Sequence, residues 1–361
     1  MTLDDAGIAM EDIEHTMTPS AIRSGVEPPR VIDLRSENDV ADRVPDHAEA
    51  DSVCVFAPSI ELGVVIERDV KGGLWGEIHL HPAGQGFWIA RLLGQLGYRA
   101  VLCGPIGGES GAVIERLVPE WGVRLQSVHM STSNASFIDD RRSGDRVLIA
   151  REARGPLHRH EVDDLYGRIL ELALSTAVTV VTGKRSDDPT PLSIFERLGA
   201  DLSGLGVTTI GDLHGPALKA FLEHGSLAIL KVSDDDLLAD GEIPDRSEAS
   251  ILLAMKGMAE HDIEWIVVSM AERGAMVSIA GEFHRVVQPS LHVVDERGSG
   301  DSMTAALVAG RLRGLDPYPA IRLACAAGAA NVTRHGLGGA SADLIEELAR
   351  KVDIQRLGTQ P

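Results

Sequence analysis

Residues 291–314, LHVVDERGSGDSMTAALVAGRLRG, constrain the fold more than any other stretch. An apolar run closes on Asp295. Gly298-Ser299-Gly300 makes a short turn, Asp301 follows, and then comes a helix-forming segment rich in Ala, Leu and Met. A glycine turn that opens a helix converges backbone N–H groups on one spot, and the helix dipole favours negative charge there. A carboxylate at that spot repels an anion, so its presence points to chemistry. Asp301 can take a proton from a hydroxyl while the amides hold a phosphoryl group in flight. Taken alone, the turn fits a capped helix equally well, with glycine supplying positive φ and aspartate the N-cap.

The rest of the chain decides what surrounds that turn. Its 361 residues are enough for one large or two medium domains. The net charge of −20 argues against nucleic acid or an anionic membrane as the main partner, while leaving room for a local pocket that binds an anion. No apolar run approaches the roughly 20 residues that span a bilayer, and no signal peptide is visible. Cys54, Cys103 and Cys325 sit in apolar surroundings without a CxxC pair, which fits a reduced, cytoplasmic setting. Residues 1–50 carry twelve acids and four arginines and little apolar periodicity, so an acidic, loosely packed extension is expected. From Ser52 the pattern is regular. SVCVFAPS and RAVLCGPIG read as buried strands. Residues 62–82 and 131–150 read as hairpins, and 86–96 and 160–174 as helices. TVVTG, VTTIGDL, SLAILKVS and EWIVVSM read as strands alternating with helices. That alternation predicts an α/β fold: a mostly parallel central sheet with helices on both faces, the hairpins forming a small β-sheet lid, one domain over 51–350 and a tail at 351–361. GxxxxGK[ST] is absent, so this is not a P-loop protein.

Several strand-like runs end in small or polar residues: Pro58-Ser59-Ile60-Glu61, Gly183-Lys184, Gly211-Asp212, Lys231-Val232-Ser233 and Ser269-Met270. Such ends line the ligand crevice of an open α/β sheet. With Asp295-Glu296-Arg297-Gly298-Ser299-Gly300-Asp301-Ser302-Met303, they resemble the ribokinase-like, or PfkB, sugar kinases over about residues 52–345. The family pattern there is Asp-Thr-x-Gly-Ala-Gly-Asp, and Ser-Met follows in the branch with 1-phosphofructokinase and tagatose-6-phosphate kinase. The resemblance implies an ATP-dependent phosphotransferase with Asp301 as base and the amides of Gly298, Ser299 and Gly300 as anion hole. It implies nucleotide contacts at Lys231, Ser233, Ser269, Gly274 and Asn331, Mg²⁺ organised by Asp236, a small-molecule acceptor, and a homodimer through the lid. PAGQGFWIARLLGQLG (82–97) overlays the branch's Gly-Gly-Lys-Gly-x-Asn segment, which puts substrate contacts at Glu61, Gly84, Gln85, Trp88 and Asn134.

The acceptor side departs from the pattern. The family lysine is Gln85, its asparagine Trp88, its arginine Ser133 and its early aspartate Glu61. A charge-assisted bond to phosphate contributes about 1.5–3 kcal/mol, so losing both cations weakens a sugar phosphate by about a hundred-fold or more. Trp88 offers a flat apolar surface instead, suited to an unphosphorylated ring or a nucleoside base. An alternative is therefore a kinase-fold protein that binds nucleotide or metabolite with little transfer, or a nucleoside kinase of the same fold. Trp88 fits an ordinary core position equally well. Lys184 is expected at the surface, with a replacement phosphate contact as the minor reading. His79-x-His81 and His158-x-His160 read as exposed pairs rather than metal ligands.

Overall fold

The computed structural model describes residues 49–69, 76–333 and 339–357. The acidic extension lies outside these residues apart from its last two positions, as do residues 70–75 and 334–338. In chain order the strands are β1 (Glu49–Phe56), β2 (Glu61–Glu67), β3 (Glu77–Ala83), β4 (Arg99–Ile106), β5 (Arg124–His129), β6 (Ala135–Asp140), β7 (Val147–Glu152), β8 (Thr176–Thr182), β9 (Thr209–Asp212), β10 (Leu227–Ser233), β11 (Ile263–Ser269), β12 (Ala275–Ile279), β13 (Glu282–Val287) and β14 (Asp353–Arg356).

Ten of them form one sheet, in the order β14-β13-β12-β11-β10-β9-β8-β1-β4-β5. Every pair from β11 to β5 is parallel, while β12, β13 and β14 add an antiparallel edge. The parallel strands are rich in β-branched residues and buried on both sides, as a sheet covered on two faces requires. Successive side chains alternate between two cores. Val53 and Val55 of β1 pack with the helices Gln85–Gln95 and Ser299–Leu312, whereas Cys54 and Phe56 pack with Arg159–Ser175 and Leu192–Gly204. The helices Ser299–Leu312 and Pro317–Asn331 are built largely of Ala and Gly and pack closely on one another. The three cysteines are buried and unpaired. Burial pushes Cys103 and Cys325 up to about 12 and Cys54 well above the ordinary thiol value.

The remaining strands make a separate four-stranded sheet, β3-β2-β6-β7. Both expected hairpins are in it, and the parallel β2–β6 pair joins them. The ribokinase-like α/β architecture with a small lid is thus present. Three features were not anticipated: β5 at one edge of the main sheet, the antiparallel strands at the other, and the contribution of the C-terminal tail, which pairs with β13 through Asp353–Arg356. No helix among the described residues is long and apolar enough to cross a membrane.

Candidate active site

One cavity of about 340 Å³ opens where the strand ends of the main sheet meet the lid, and it gathers residues from seven separate stretches of chain. Its floor is the expected turn. Gly298 takes φ 71°, a left-handed conformation that favours glycine, and the helix begins at Ser299 with Asp301 in its first turn. Gly298 and Asp301 line the cavity, and so do Asp236, Glu61, Gly84, Gln85 and Trp88. Gly84 has φ 109°, and a Cβ there would lie 2.3 Å from the Ser59 carbonyl oxygen, so no side chain fits between the β1–β2 connection and the helix start.

Charge beneath the turn sets the state of Asp301. Lys231 on β10 is 4% exposed, and its Nζ lies 3.4 Å from Asp212 Oδ1 at the end of β9. Thr304 donates to the other Asp212 oxygen at 2.5 Å. A Cβ on Gly300 would meet the Lys231 ammonium at 2.7 Å, so that group sits directly under the glycine turn. Burial alone lowers the affinity of Lys231 for its proton, and Asp212, Asp236 and Asp301 outweigh that effect and raise it. Burial pushes the Asp301 carboxyl up to about 7, with Asp212 and Asp236 adding to the rise and Lys231 opposing it. A carboxylate poised near neutrality is suited to accept a proton in a transition state.

Asp236 is held by its own helix cap. Ser233 donates to Asp236 Oδ2 at 2.5 Å and accepts from the Asp236 amide at 3.1 Å. That leaves Oδ1, 3.9 Å from His214 Nε2, toward the cavity. One tethered and one open carboxylate oxygen fit a largely hydrated Mg²⁺.

At the acceptor end, Glu61 is almost fully buried and braced by two arginines. Its Oε1 accepts from Arg151 Nη2 at 2.6 Å and lies 3.4 Å from Arg185 Nε. Trp88 packs edge-on against Phe87 at 4.8 Å and Trp121 at 6.0 Å, with one part facing the cavity, so it serves core and site together. His81, expected on an exposed face, lines the cavity beside Trp88, and burial lowers its affinity for a proton. His79 stays exposed, and His158 and His160 stack on each other at 5.9 Å outside the site. Lys184, expected at the surface, is half-buried in the lining, and it is joined by Arg146, Arg185 and Arg297. Arg297 comes with the glycine motif, whereas nothing local marks Arg146 and Arg185 as converging there.

Other expected contacts stand outside the cavity lining and carry bonds within the fold. Asn134 is fully buried: its Oδ1 accepts from the Gly107 amide at 2.8 Å, and its Nδ2 donates to the Ile60 and Pro105 carbonyls at 2.9 and 3.0 Å. It ties its own segment to Ile60 and to Pro105–Gly107, and it stands outside the cavity lining. Asn331 Nδ2 donates to the Arg297 carbonyl at 2.6 Å. Ser269 Oγ lies 3.4 Å from the Val232 carbonyl, and Gly274 takes φ 89° against the Val286 carbonyl. Lys231 is spent on Asp212, below the cavity instead of in its wall.

Residues 66–343 match the family model described as pfkB family carbohydrate kinase. The chain belongs to that family. A tagatose-6-phosphate kinase from Staphylococcus epidermidis is 24% identical over 279 residues, covering 75% of this chain and 87% of that protein. Among solved structures, phosphofructokinase-2 from Escherichia coli in complex with potassium superposes with a TM-score of 0.72 at 21% identity, covering 83% of this chain and 98% of the other. Arabidopsis thaliana ribokinase complexed with ribose and ATP gives 0.65 at 17% identity, with 84% and 99% covered. At these identities the structural likeness establishes the fold, and the pfkB match establishes carbohydrate kinase kinship.

Proposed function

We propose that this pfkB family member transfers the γ-phosphate of ATP to a hydroxyl of a sugar phosphate, with Asp301 as the base. The observation that carries the reading is Asp301 in the first turn after a left-handed glycine, at the floor of the shared cavity, with its carboxyl pushed up to about 7. The acceptor hydroxyl gives its proton to Asp301 as its oxygen attacks. The amides of Gly298, Ser299 and Gly300 receive the phosphoryl charge. Asp236 would hold Mg²⁺, which neutralises phosphate oxygens when bound.

Cations within the cavity favour a phosphorylated acceptor. Gln85 and Ser133 replace the residues that grip phosphate in the family pattern, yet Lys184, Arg185 and Arg146 line the same cavity. Arg146 is paired with Asp139 at 2.6 Å and Arg185 with Asp187 at 3.1 Å and Glu61 at 3.4 Å, so a phosphate there would share these guanidiniums with carboxylates, while the Lys184 ammonium donates to the Asp188 carbonyl. Tagatose 6-phosphate and fructose 1-phosphate are the first candidates. Trp88 favours a second reading, a ring-bearing acceptor without phosphate.

Release of ADP measured against a panel of sugars, sugar phosphates and nucleosides separates these readings. Turnover confined to sugar phosphates supports the first, turnover confined to nucleosides or free sugars replaces it with the second, and silence with measurable ATP binding leaves a non-transferring binding protein. Exposed Ile78 and Leu80 on β3 and Val147, Leu148 and Ile149 on β7 support a homodimer formed by two lids. Ile149→Glu then shifts the sedimentation coefficient to that of a monomer; an unchanged coefficient refutes the lid interface. The buried, unpaired thiols accord with a cytoplasmic setting.

A further inference from the structure

The motif that carries the phosphoryl turn leaves one position open, and in this chain Arg297 fills it. Arg297 lines the cavity together with Gly298 and Asp301, and directly precedes the anion-hole glycine, so their Cα atoms are about 3.8 Å apart. Its side chain is 29% exposed, enough to present charge without being free in solvent. Its Nε donates to Asp295 Oδ1 at 2.9 Å and its Nη2 to Asp295 Oδ2 at 2.5 Å. This two-point grip fixes the plane of the guanidinium. The Asn331 side chain holds the Arg297 carbonyl from the other side.

The clasp leaves part of the guanidinium free to meet a ligand. Arg141, just after β6 in the lid, also donates to Asp295 Oδ2, at 2.8 Å, and its other terminal nitrogen lies 3.9 Å from Glu67 Oε1. Arg297 therefore shares its carboxylate with a second guanidinium, which weakens the hold of Asp295 on its charge. The other charges facing that end of the cavity are Asp301 and Asp236, both acidic, while the Lys231 ammonium beneath the turn is paired with Asp212. A polyphosphate brought to this floor meets two carboxylates, and Arg297 is the cationic side chain nearest in sequence to the amides that receive it.

We propose that Arg297 is a further catalytic residue, which places its guanidinium on the phosphoryl group in flight and is oriented by Asp295. The role rests on the phosphotransfer reading above. In the step, the acceptor oxygen bonds to the γ-phosphorus and the bond from that phosphorus to the bridging oxygen breaks. The bonding pair stays on ADP and the hydroxyl proton passes to Asp301. Arg297 forms no covalent bond; it offsets charge that grows on the transferring oxygens, as an arginine supplied within the same chain does in other phosphoryl-transfer sites.

Arg297→Met and Arg297→Lys test this in the full chain. Asp295 keeps Arg141 as a partner in both variants, and circular dichroism confirms folding. Two readouts are taken: steady-state kinetics on an acceptor that the unaltered protein turns over, and calorimetric binding of ADP with Mg²⁺, with and without aluminium fluoride as a mimic of the phosphoryl group in flight. The expected result for Arg297→Met is a fall in kcat of at least about 100-fold, with ADP affinity kept within about threefold and the tightening by aluminium fluoride lost. Arg297→Lys recovers part of kcat. The proposal is overturned by kcat within about threefold of the unaltered protein, by a loss confined to the acceptor KM, or by equal losses with and without aluminium fluoride. A failure of the phosphotransfer reading shows itself earlier, in the unaltered protein: no acceptor is turned over and aluminium fluoride does not tighten ADP binding, which removes both readings together.

Discussion

The two ends of the cavity are built in opposite ways. At the phosphoryl end, a short motif contiguous in sequence does most of the work, and its supports are buried within one core: Lys231, Asp212 and Thr304 lie directly under Gly300 and Asp301. At the acceptor end, the charged side chains come from three separate places, Glu61 from β2, Arg146 and Arg151 from the second lid hairpin, and Lys184 and Arg185 from the loop after β8. A contiguous site tolerates little change, because one substitution disturbs backbone amides, base and buried ion pair together. A dispersed site can lose two cations at Gln85 and Ser133 and receive others from elsewhere in the chain. Under the proposed function, that contrast lets the glycine turn stay fixed while the acceptor contacts are rearranged.

The largest effect expected from that contrast is at the base. Asp301→Asn should lower turnover by about 10³-fold or more with ATP affinity nearly unchanged, measured by ADP release and by calorimetry. Retained turnover would show that the motif end is less decisive than its geometry. Next comes the acceptor end, where Arg146→Ala combined with Lys184→Ala should raise the KM for a phosphorylated acceptor by about 10–100-fold and leave kcat within a few-fold. Equal loss on phosphorylated and unphosphorylated acceptors would mean that these cations do not read the phosphate.

A smaller effect is the pH profile. With Asp301 raised from 3.8 to about 7, kcat/KM rises through about pH 7 and falls about tenfold per unit below it. A profile flat from pH 5 to 8 would remove Asp301 as the group that must ionise.

The smallest is thermal. A carboxyl whose folded value is raised contributes stability that is fully present below its unfolded value and is lost as pH rises through about 7. Asp301→Asn therefore raises Tm at pH 8 and leaves it almost unchanged at pH 4. An equal shift at both pH values would mean that the gain has nothing to do with the buried charge.

The parallel sheet, both lid hairpins and the phosphoryl turn were legible because each is local: periodicity, turn glycines and one motif specify them. The antiparallel edge was not, because β12 is five residues and β14 is four, and β14 reaches its partner β13 across about seventy residues of chain. The bonds of Asn134 were not legible for a related reason. Its three backbone partners, at Ile60, Pro105 and Gly107, lie at least 27 residues away in sequence, so nothing local marks an amide that is already fully bonded. His81 differs from His79 only in what folds over it: Trp88 and Trp121 reach one and not the other. The cations at Arg146, Lys184 and Arg185 converge through tertiary structure alone.

Burial of Cys54, Cys103 and Cys325 has a practical consequence. With Cys103 and Cys325 held up to about 12 and Cys54 well above its ordinary value, almost no thiolate exists at neutral pH and no reagent reaches the sulfur. Alkylation of the native protein therefore has to wait for the sheet or its covering helices to open. Cys54 on β1 and Cys103 on β4 report on the end of the sheet that closes with β5, and Cys325 on the helix Pro317–Asn331 that covers one face. The chain thus carries three internal clocks, and the rate at which iodoacetamide labels each one times the opening of its own part of the structure.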